Sequence, residues 1–207
     1  AIEEARGRVA TGKRRSGEPF TEAELAAARA EINAANDGLT KMRDTPLVPP
    51  TRAVAARETL EIGGVSLQLI PVSAHTDGDL LVYVAGARAL ISGDVVDALP
   101  FAGHGHPSAW IAALDQLKAL DVAVVLPGHG PVFRGRDQLD RVRRLLVALV
   151  EHARAGAAAG ESLEALQASL SLDELRAELV RDDTDARAFT RFVPEGLAAA
   201  YREATAP

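Results

Sequence analysis

The chain has 207 residues, of which 47% are hydrophobic and 25% charged, a composition typical of an ordinary soluble globular protein rather than a disordered or fibrous one. Its length suggests one domain, or at most two small ones. The formal net charge of −6 provides no basic face for nucleic acid. No apolar run approaches the roughly 20 residues needed to span a bilayer, so we expect neither nucleic acid nor a membrane as a partner.

The absence of cysteine restricts the kinds of metal site that the chain can build. Without a thiolate, a metal site would use imidazole and carboxylate ligands, and a disulfide framework is excluded. The sequence begins with neither an initiator methionine nor a signal-peptide pattern. It therefore leaves two compartments open for a soluble protein, the cytoplasm and the periplasm.

The first part of the chain is predicted to be helical. The spacing of apolar residues indicates helices at residues 2–10 and 21–35, and Thr21 followed by Glu24 is a capping-box pattern. The proline-rich stretch at residues 44–50 cannot continue a helix, because proline lacks an amide donor. We predict a connector there.

From residue 58 the pattern changes to short β-rich runs separated by turns. We predict strands at residues 59–62, 65–72, 80–84 and 89–92. The third and fourth runs are continuously apolar, which is typical of strands that are covered on both faces. A helical layer is therefore expected to pack on this sheet.

The second half of the chain is predicted to be mainly helical, with one further strand. Helical spacing runs through residues 107–120, a buried strand follows at 122–126, and a long amphipathic helix covers about 136–155. Shorter helices are expected beyond Gly160.

Three short motifs follow directly on predicted strands, where open α/β proteins place their ligands. They contain His75 after the second strand, Asp94 after the fourth and His129 after the strand at 122–126. Each of these residues alone is also explained as a turn or capping residue. Together they supply two imidazoles and a carboxylate, which are suitable donors for zinc, iron or manganese at a catalytic site.

The order of these motifs resembles the metallo-β-lactamase superfamily. The matching features are His-Thr-x-Gly-Asp, Ser-Gly-Asp after a hydrophobic strand, a tryptophan-bearing helix and Leu-Pro-Gly-His-Gly-Pro-Val. The resemblance implies an α/β fold that is part of the αββα metallo-β-lactamase sandwich, mostly its second half, with extra C-terminal helices. It divides the chain into a helical segment and connector at 1–57, this half-domain at 58–135, and a C-terminal helical extension at 136–207 that packs on the same domain.

The resemblance also implies roles for single residues. His75 resembles the third imidazole of the first metal site, Asp94 the catalytic carboxylate that bridges both metals, and His129 an imidazole of the second site. The implied cofactor is zinc, with two ions in the complete protein, while iron or manganese is the alternative. Three neighbours are expected to orient His75 through its other ring nitrogen, namely Thr76, Asp77 and Asp79.

A second pair of histidines, His104 and His106, lies in the loop after Asp94. In the related fold this loop borders the substrate cleft, so we expect these two residues to contact substrate. The alternative is a solvated loop that binds metal adventitiously. His152, on the long helix, is expected to be a surface or helix-packing residue.

The sequence departs from the family pattern at its leading motif. In the family, His-x-His-x-Asp-His supplies two ligands to each metal, whereas no histidine precedes His75 in this chain. We therefore expect the chain to be the C-terminal portion of a longer enzyme. One face of the strands at 80–92 would then lack its packing layer and expose apolar surface.

The expected function is that of a metal-dependent hydrolase, in which a metal-activated water attacks an ester, thioester, lactam or similar bond of a small molecule. The chain alone is expected to be inactive. The alternative is a non-catalytic remnant, or a split-chain module whose metal site is completed by a partner. A homodimer or a complementing N-terminal segment would be the partner. Iron-dependent redox chemistry and a scaffold without metal are further alternatives.

Overall fold

The computed structural model describes residues 2–13, 17–43, 45–46 and 48–206. The chain forms two compact units, Ala1–Arg52 and Ala53–Pro207. Among the described residues, no helix is both long and apolar enough to cross a membrane.

The first unit is built from two helices, α1 (Ile2–Thr11) and α2 (Glu22–Arg43). The predicted capping box is present, because the Thr21 amide donates to the Glu24 carboxylate (2.9 Å) and the Glu24 amide donates to the Thr21 hydroxyl (3.3 Å). α2 continues past its predicted end at residue 35, since no proline occurs between that residue and Pro46. Of the predicted connector, Asp44 and Leu47 lie outside the described residues, and the others belong to no helix or strand.

The second unit contains a six-stranded sheet whose strands are adjacent in chain order. The strands are β1 (Glu58–Ile62), β2 (Val65–Val72), β3 (Asp79–Val84), β4 (Ala89–Gly93), β5 (Val124–Pro127) and β6 (Phe133–Arg134). Neighbouring strands are antiparallel except β4 and β5, which are parallel and therefore need a crossover connection. The five strands predicted from the sequence are present, and β6 is an additional one.

Five helices belong to the same unit: α3 (Pro107–Gln116), α4 (Asp137–Ala159), α5 (Leu163–Ser169), α6 (Asp173–Leu179) and α7 (Asp183–Thr205). α3 lies in the crossover between β4 and β5 and packs on α4, which in turn packs on α7. Arg143 on α4 donates to both carboxylate oxygens of Asp115 on α3, at 2.8 and 2.9 Å. This pair holds the pKa of Asp115 well below its usual range and ties the two helices together.

One face of the sheet is filled by side chains of these helices. Leu81, Tyr83 and Leu90 on the strands pack in one buried cluster with Trp110 of α3 and Val142 of α4. The Trp110 indole donates to the carbonyl of Val95 at 3.0 Å, so its polar group is satisfied inside the core. This face and its helices form the main hydrophobic core.

The opposite face of the sheet is apolar and partly exposed. Leu80 is 44% exposed and Ile91 43%, and Ile91 lies between Val82 and Leu126 in the register of the sheet. The expectation that the third and fourth strands are covered on both faces is therefore wrong for the part of the chain that the structure describes. The exposure of Leu80 and Ile91 agrees instead with the expectation of an apolar face without a packing layer. Alternate side chains of a strand point to opposite faces, so one face can be buried while the other is exposed.

Candidate metal centre

The three predicted ligands converge because of the strand directions. β2 and β4 are both antiparallel to β3, and β4 is parallel to β5, so all three strands end at the same edge of the sheet. His75 follows β2, Asp94 follows β4 and His129 follows β5. The sheet topology thus brings residues from distant parts of the sequence to one edge.

Asp94 lies between the two imidazoles. Its Oδ2 atom is 3.6 Å from His75 Nε2, and its Oδ1 atom is 3.7 Å from His129 Nε2. Ligand atoms bound to one metal ion at about 2.0–2.2 Å lie roughly 3–4 Å apart, so both spacings fit an ion between the two atoms. One carboxylate with each oxygen facing a different imidazole has the arrangement that a bridging ligand requires.

His75 is oriented by the main chain. Its Nδ1 atom lies 3.0 Å from the carbonyl oxygen of Phe101, which can only accept, so Nδ1 carries a proton and Nε2 is the ring nitrogen that faces Asp94. The side chains expected to orient His75 make other contacts. The carboxylate of Asp79 accepts hydrogen bonds from the amide and hydroxyl of Thr76, and Asp77 contacts His106.

Asp97 adds a second carboxylate to the site formed by His75, Asp94 and His129. Asp94, Asp97 and His129 each offer a ligand atom, and these atoms lie within 4.8 Å of one another. The Asp97 carboxylate also accepts a hydrogen bond from the His129 amide at 2.8 Å, which holds the backbone of the His129 loop. Burial raises the pKa of Asp97, and this hydrogen bond counteracts part of the rise.

The backbone at the edge of the sheet is crowded at Gly128. A Cβ atom added there would lie 1.9 Å from Asp94 Oδ1, whereas the glycine amide donates to the carbonyl of Gly93 at 2.9 Å. Gly93 has φ +51°, in the region that favours glycine. The two glycines let the chain approach closely enough for Asp94 to face both imidazoles.

The two histidines of the loop after Asp94 have different positions. His104 Nε2 lies 3.3 Å from His75 Nε2, which is again the spacing of two ligands on one ion. His106 Nε2 lies 2.6 Å from a carboxylate oxygen of Asp77 and does not line the cavity of the site. The structure therefore brings His104, but not His106, to the cluster.

A cavity of about 410 Å³ opens over the cluster. Its lining residues are His75, Asp94, Asp97, Leu99, Phe101, His104, His129, Arg191 and Phe192. The polar cluster forms one wall, while α7 contributes Arg191 and Phe192 to another. A carbonyl or ester group placed over the cluster would thus have apolar and cationic groups beside it.

The loop that carries His104 is attached to the last turns of α7. Arg202 donates to the carbonyl of Gly103 at 2.8 Å, and the carboxylate of Glu203 accepts from the Ser108 amide at 3.1 Å. His152, by contrast, lies in a helix contact, where its Nε2 atom is 3.0 Å from the carbonyl of Leu166.

Five residues of the site were not predicted from the sequence. Asp97 follows Asp94 in the same loop, so the repeated aspartate in Ser-Gly-Asp-Val-Val-Asp was a usable signal. The other four carry no such signal. Leu99 and Phe101 lie in the irregular loop after β4, and only the packing of α7 brings Arg191 and Phe192 to the site.

Comparison with known proteins identifies the family of the chain. The model of the metallo-β-lactamase superfamily matches residues 22–129. A linear primary-alkylsulfatase from Pseudomonas sp. is 27% identical over 139 residues, which is 63% of this chain and 26% of the relative. The structure of a stereoselective inverting sec-alkylsulfatase from Pseudomonas sp. superposes with a TM-score of 0.64 at 18% identity, over 77% of this chain and 27% of that one.

These matches differ in what they establish. The structural likeness shows the fold, and the chain spans only about a quarter of the length of either sulfatase. The family model, however, covers more than half of the 207 residues and includes His75, Asp94 and His129. The predicted α/β class and the predicted family are confirmed, and the chain belongs to the metallo-β-lactamase superfamily.

Proposed function

We propose that this chain contributes His75, Asp94 and His129 to the metal centre of a metal-dependent hydrolase. The observation that supports this most directly is the position of Asp94, whose two oxygens lie 3.6 and 3.7 Å from the two imidazole Nε2 atoms. Zinc, with two ions, suits this set of imidazole and carboxylate donors, and iron or manganese is the alternative.

The chemistry divides between the ion and the protein. A bound metal ion supplies hydroxide at neutral pH, because it lowers the pKa of its water to about 7. The carbonyl of Phe101 holds the His75 ring in the tautomer that ligation needs, and Asp97 holds the His129 loop through its amide. The two oxygens of Asp94 lie at nearly equal distances from the two imidazoles, so one carboxylate faces both histidines. His75, Asp94 and His129 alone would not supply four ligands to each of two zinc ions, so further donors would be needed.

For the bond that is cleaved, we favour a sulfate ester over a carboxylic ester, thioester or lactam. The names of both sulfatases describe enzymes that act on alkyl sulfates, and each resembles this chain over more than half of its length. Because the chain spans about a quarter of either protein, the substrate is a proposal that rests on part of the relatives' length.

The experiment that tests the metal centre is a zinc titration of the metal-free chain, with bound zinc, iron and manganese quantified after purification. We expect zinc binding that weakens by about tenfold or more in His75→Ala, Asp94→Ala and His129→Ala. His152→Gln is the matched control, because His152 lies in a helix contact outside the cavity. Equal zinc affinity in the parent chain and all three alanine variants would overturn the proposal.

A split-chain module is the second candidate, and the exposed apolar face of the sheet favours it. We propose that a complementing segment packs on this face and that the isolated chain instead self-associates through it. Ile91, which is 43% exposed there, is the residue to change. Light scattering should give a molar mass above that of a monomer for the parent chain and a lower one for Ile91→Glu. A monodisperse monomeric parent chain contradicts this proposal.

A further inference from the structure

The cavity over the metal cluster contains one permanent positive charge, Arg191 on α7. Within the described part of the chain, its guanidinium makes no hydrogen bond or ion pair, and its central carbon lies 5.8 Å from the ring centre of Phe192. The other α7 arginines are engaged, since Arg187 donates to Thr184 and Arg202 to the carbonyl of Gly103. The donors of Arg191 are therefore available to a ligand in the cavity.

A guanidinium has a planar fork of donors that matches two oxygens of a sulfate, phosphate or carboxylate group. Arg191 shares the cavity with His75, Asp94 and His129, so an anionic group bound there lies beside the proposed metal centre. Arg191 is an exposed side chain, and it differs from Arg187, the exposed arginine one turn earlier on α7, because it lines this cavity.

The rest of this wall is apolar. The rings of Phe101 and Phe192 pack edge to face with their centres 5.0 Å apart, and Leu99 completes the surface. Leu99 and Phe192 also line a neighbouring cavity of about 580 Å³, whose wall contains Ala188 and Pro131 but also the polar residues Arg181, Asp182, Thr184 and Asp185. The apolar surface beside the metal cluster is therefore the one formed by Leu99, Phe101 and Phe192.

We propose that Arg191 binds the anionic group of the substrate while Leu99, Phe101 and Phe192 bind its apolar chain, so that the site selects anionic esters with an apolar tail. This inference rests on the proposed hydrolase function and specifies its substrate class. A neutral ester would not gain the charge-assisted pair with the guanidinium, and a short anion would leave the aromatic surface uncovered. Charge and chain length are therefore both recognised by residues of α7 and the loop after β4.

The test is a binding measurement with hexyl sulfonate, which carries the anionic group and apolar chain but has no ester bond to hydrolyse. Calorimetry on the zinc-loaded chain should show that Arg191→Gln weakens binding about tenfold, as expected for the loss of a charge-assisted pair. Phe192→Ala should weaken hexyl sulfonate binding by a larger factor than methanesulfonate binding. Arg187→Gln is the matched control, since it removes the same charge from α7 outside the cavity, and it should change the affinity less than about twofold.

Hexanol separates charge recognition from a general disturbance of the cavity, because its binding should be the same in the parent chain and in Arg191→Gln. Unchanged sulfonate affinity in Arg191→Gln, or an equal loss of hexanol binding, overturns the inference. Zinc content measured on the same samples keeps the two proposals apart. A chain that binds the sulfonate through Arg191 without holding zinc supports the inference while the metal-centre proposal fails.

Discussion

The two faces of the sheet are both apolar, but one is buried and the other is partly exposed. Leu81 on β3 is 0% exposed beneath the helices, whereas its neighbour Leu80 points the other way and is 44% exposed. On β4, Leu90 and Ile91 differ in the same manner. A continuously apolar strand therefore indicates that both of its faces are suited to burial. It does not indicate which face is covered by another part of the chain.

The candidate metal centre lies where the covered face meets the end of the strands. The rings of Trp110 and His75 pack edge to face with their centres 5.8 Å apart, so the core contacts one of the proposed ligands directly. The covered face holds the polar cluster in position, while the exposed face is suited to receive another polypeptide. Two pairs of substitutions would sharpen this contrast.

The larger effect is expected from truncating matched leucines on opposite faces. Leu81→Ala removes a fully buried side chain and should lower the free energy of unfolding by about 2–5 kcal/mol. Leu80→Ala, one residue away on the exposed face, should cost less than about 1 kcal/mol. Urea denaturation followed by circular dichroism measures both values. Similar losses in the two variants would mean that the faces are equally packed.

A smaller effect on stability, with a specific effect on the site, is expected from Gly128→Ala. The new methyl group would meet Asp94 Oδ1, so the carboxylate must move and zinc affinity should fall by about tenfold, while overpacking costs about 1–3 kcal/mol. Gly78→Ala is the control, since a Cβ atom there meets nothing within 4 Å. Zinc titration and denaturation of both variants provide the readouts, and parent-like affinity in Gly128→Ala would contradict the proposed role of Asp94.

Much of the fold is predictable because it follows from local patterns. The predicted strands begin and end within two residues of the observed ones, since Gly63-Gly64 and similar turn signals limit them. Two features were missed for non-local reasons. β6 is two residues long and exists only through its pairing with β5. α7 runs for 23 residues through Pro194, whereas only shorter helices were expected beyond Gly160.

The candidate site divides in the same way. His75, Asp94 and His129 stand out in the sequence because each follows a strand within a short motif, and the parallel order of those strands brings them together. Arg191 is separated from them by most of the helical part of the chain. Its place in the cavity depends on how α7 packs on α4, which helical periodicity alone does not specify.

The attachment of the histidine loop to the end of α7 has a consequence for access to the cavity. Gly103 and Ser108 flank His104 in sequence, and both are hydrogen-bonded to consecutive residues of the helix, Arg202 and Glu203. The loop cannot swing away from the cluster without breaking the Gly103–Arg202 bond, while the Ser108–Glu203 bond holds the first turn of α3, where the loop ends. The last turns of α7 thus hold both the loop and the helix that follows it, and they restrain the wall of the cavity that His104 forms.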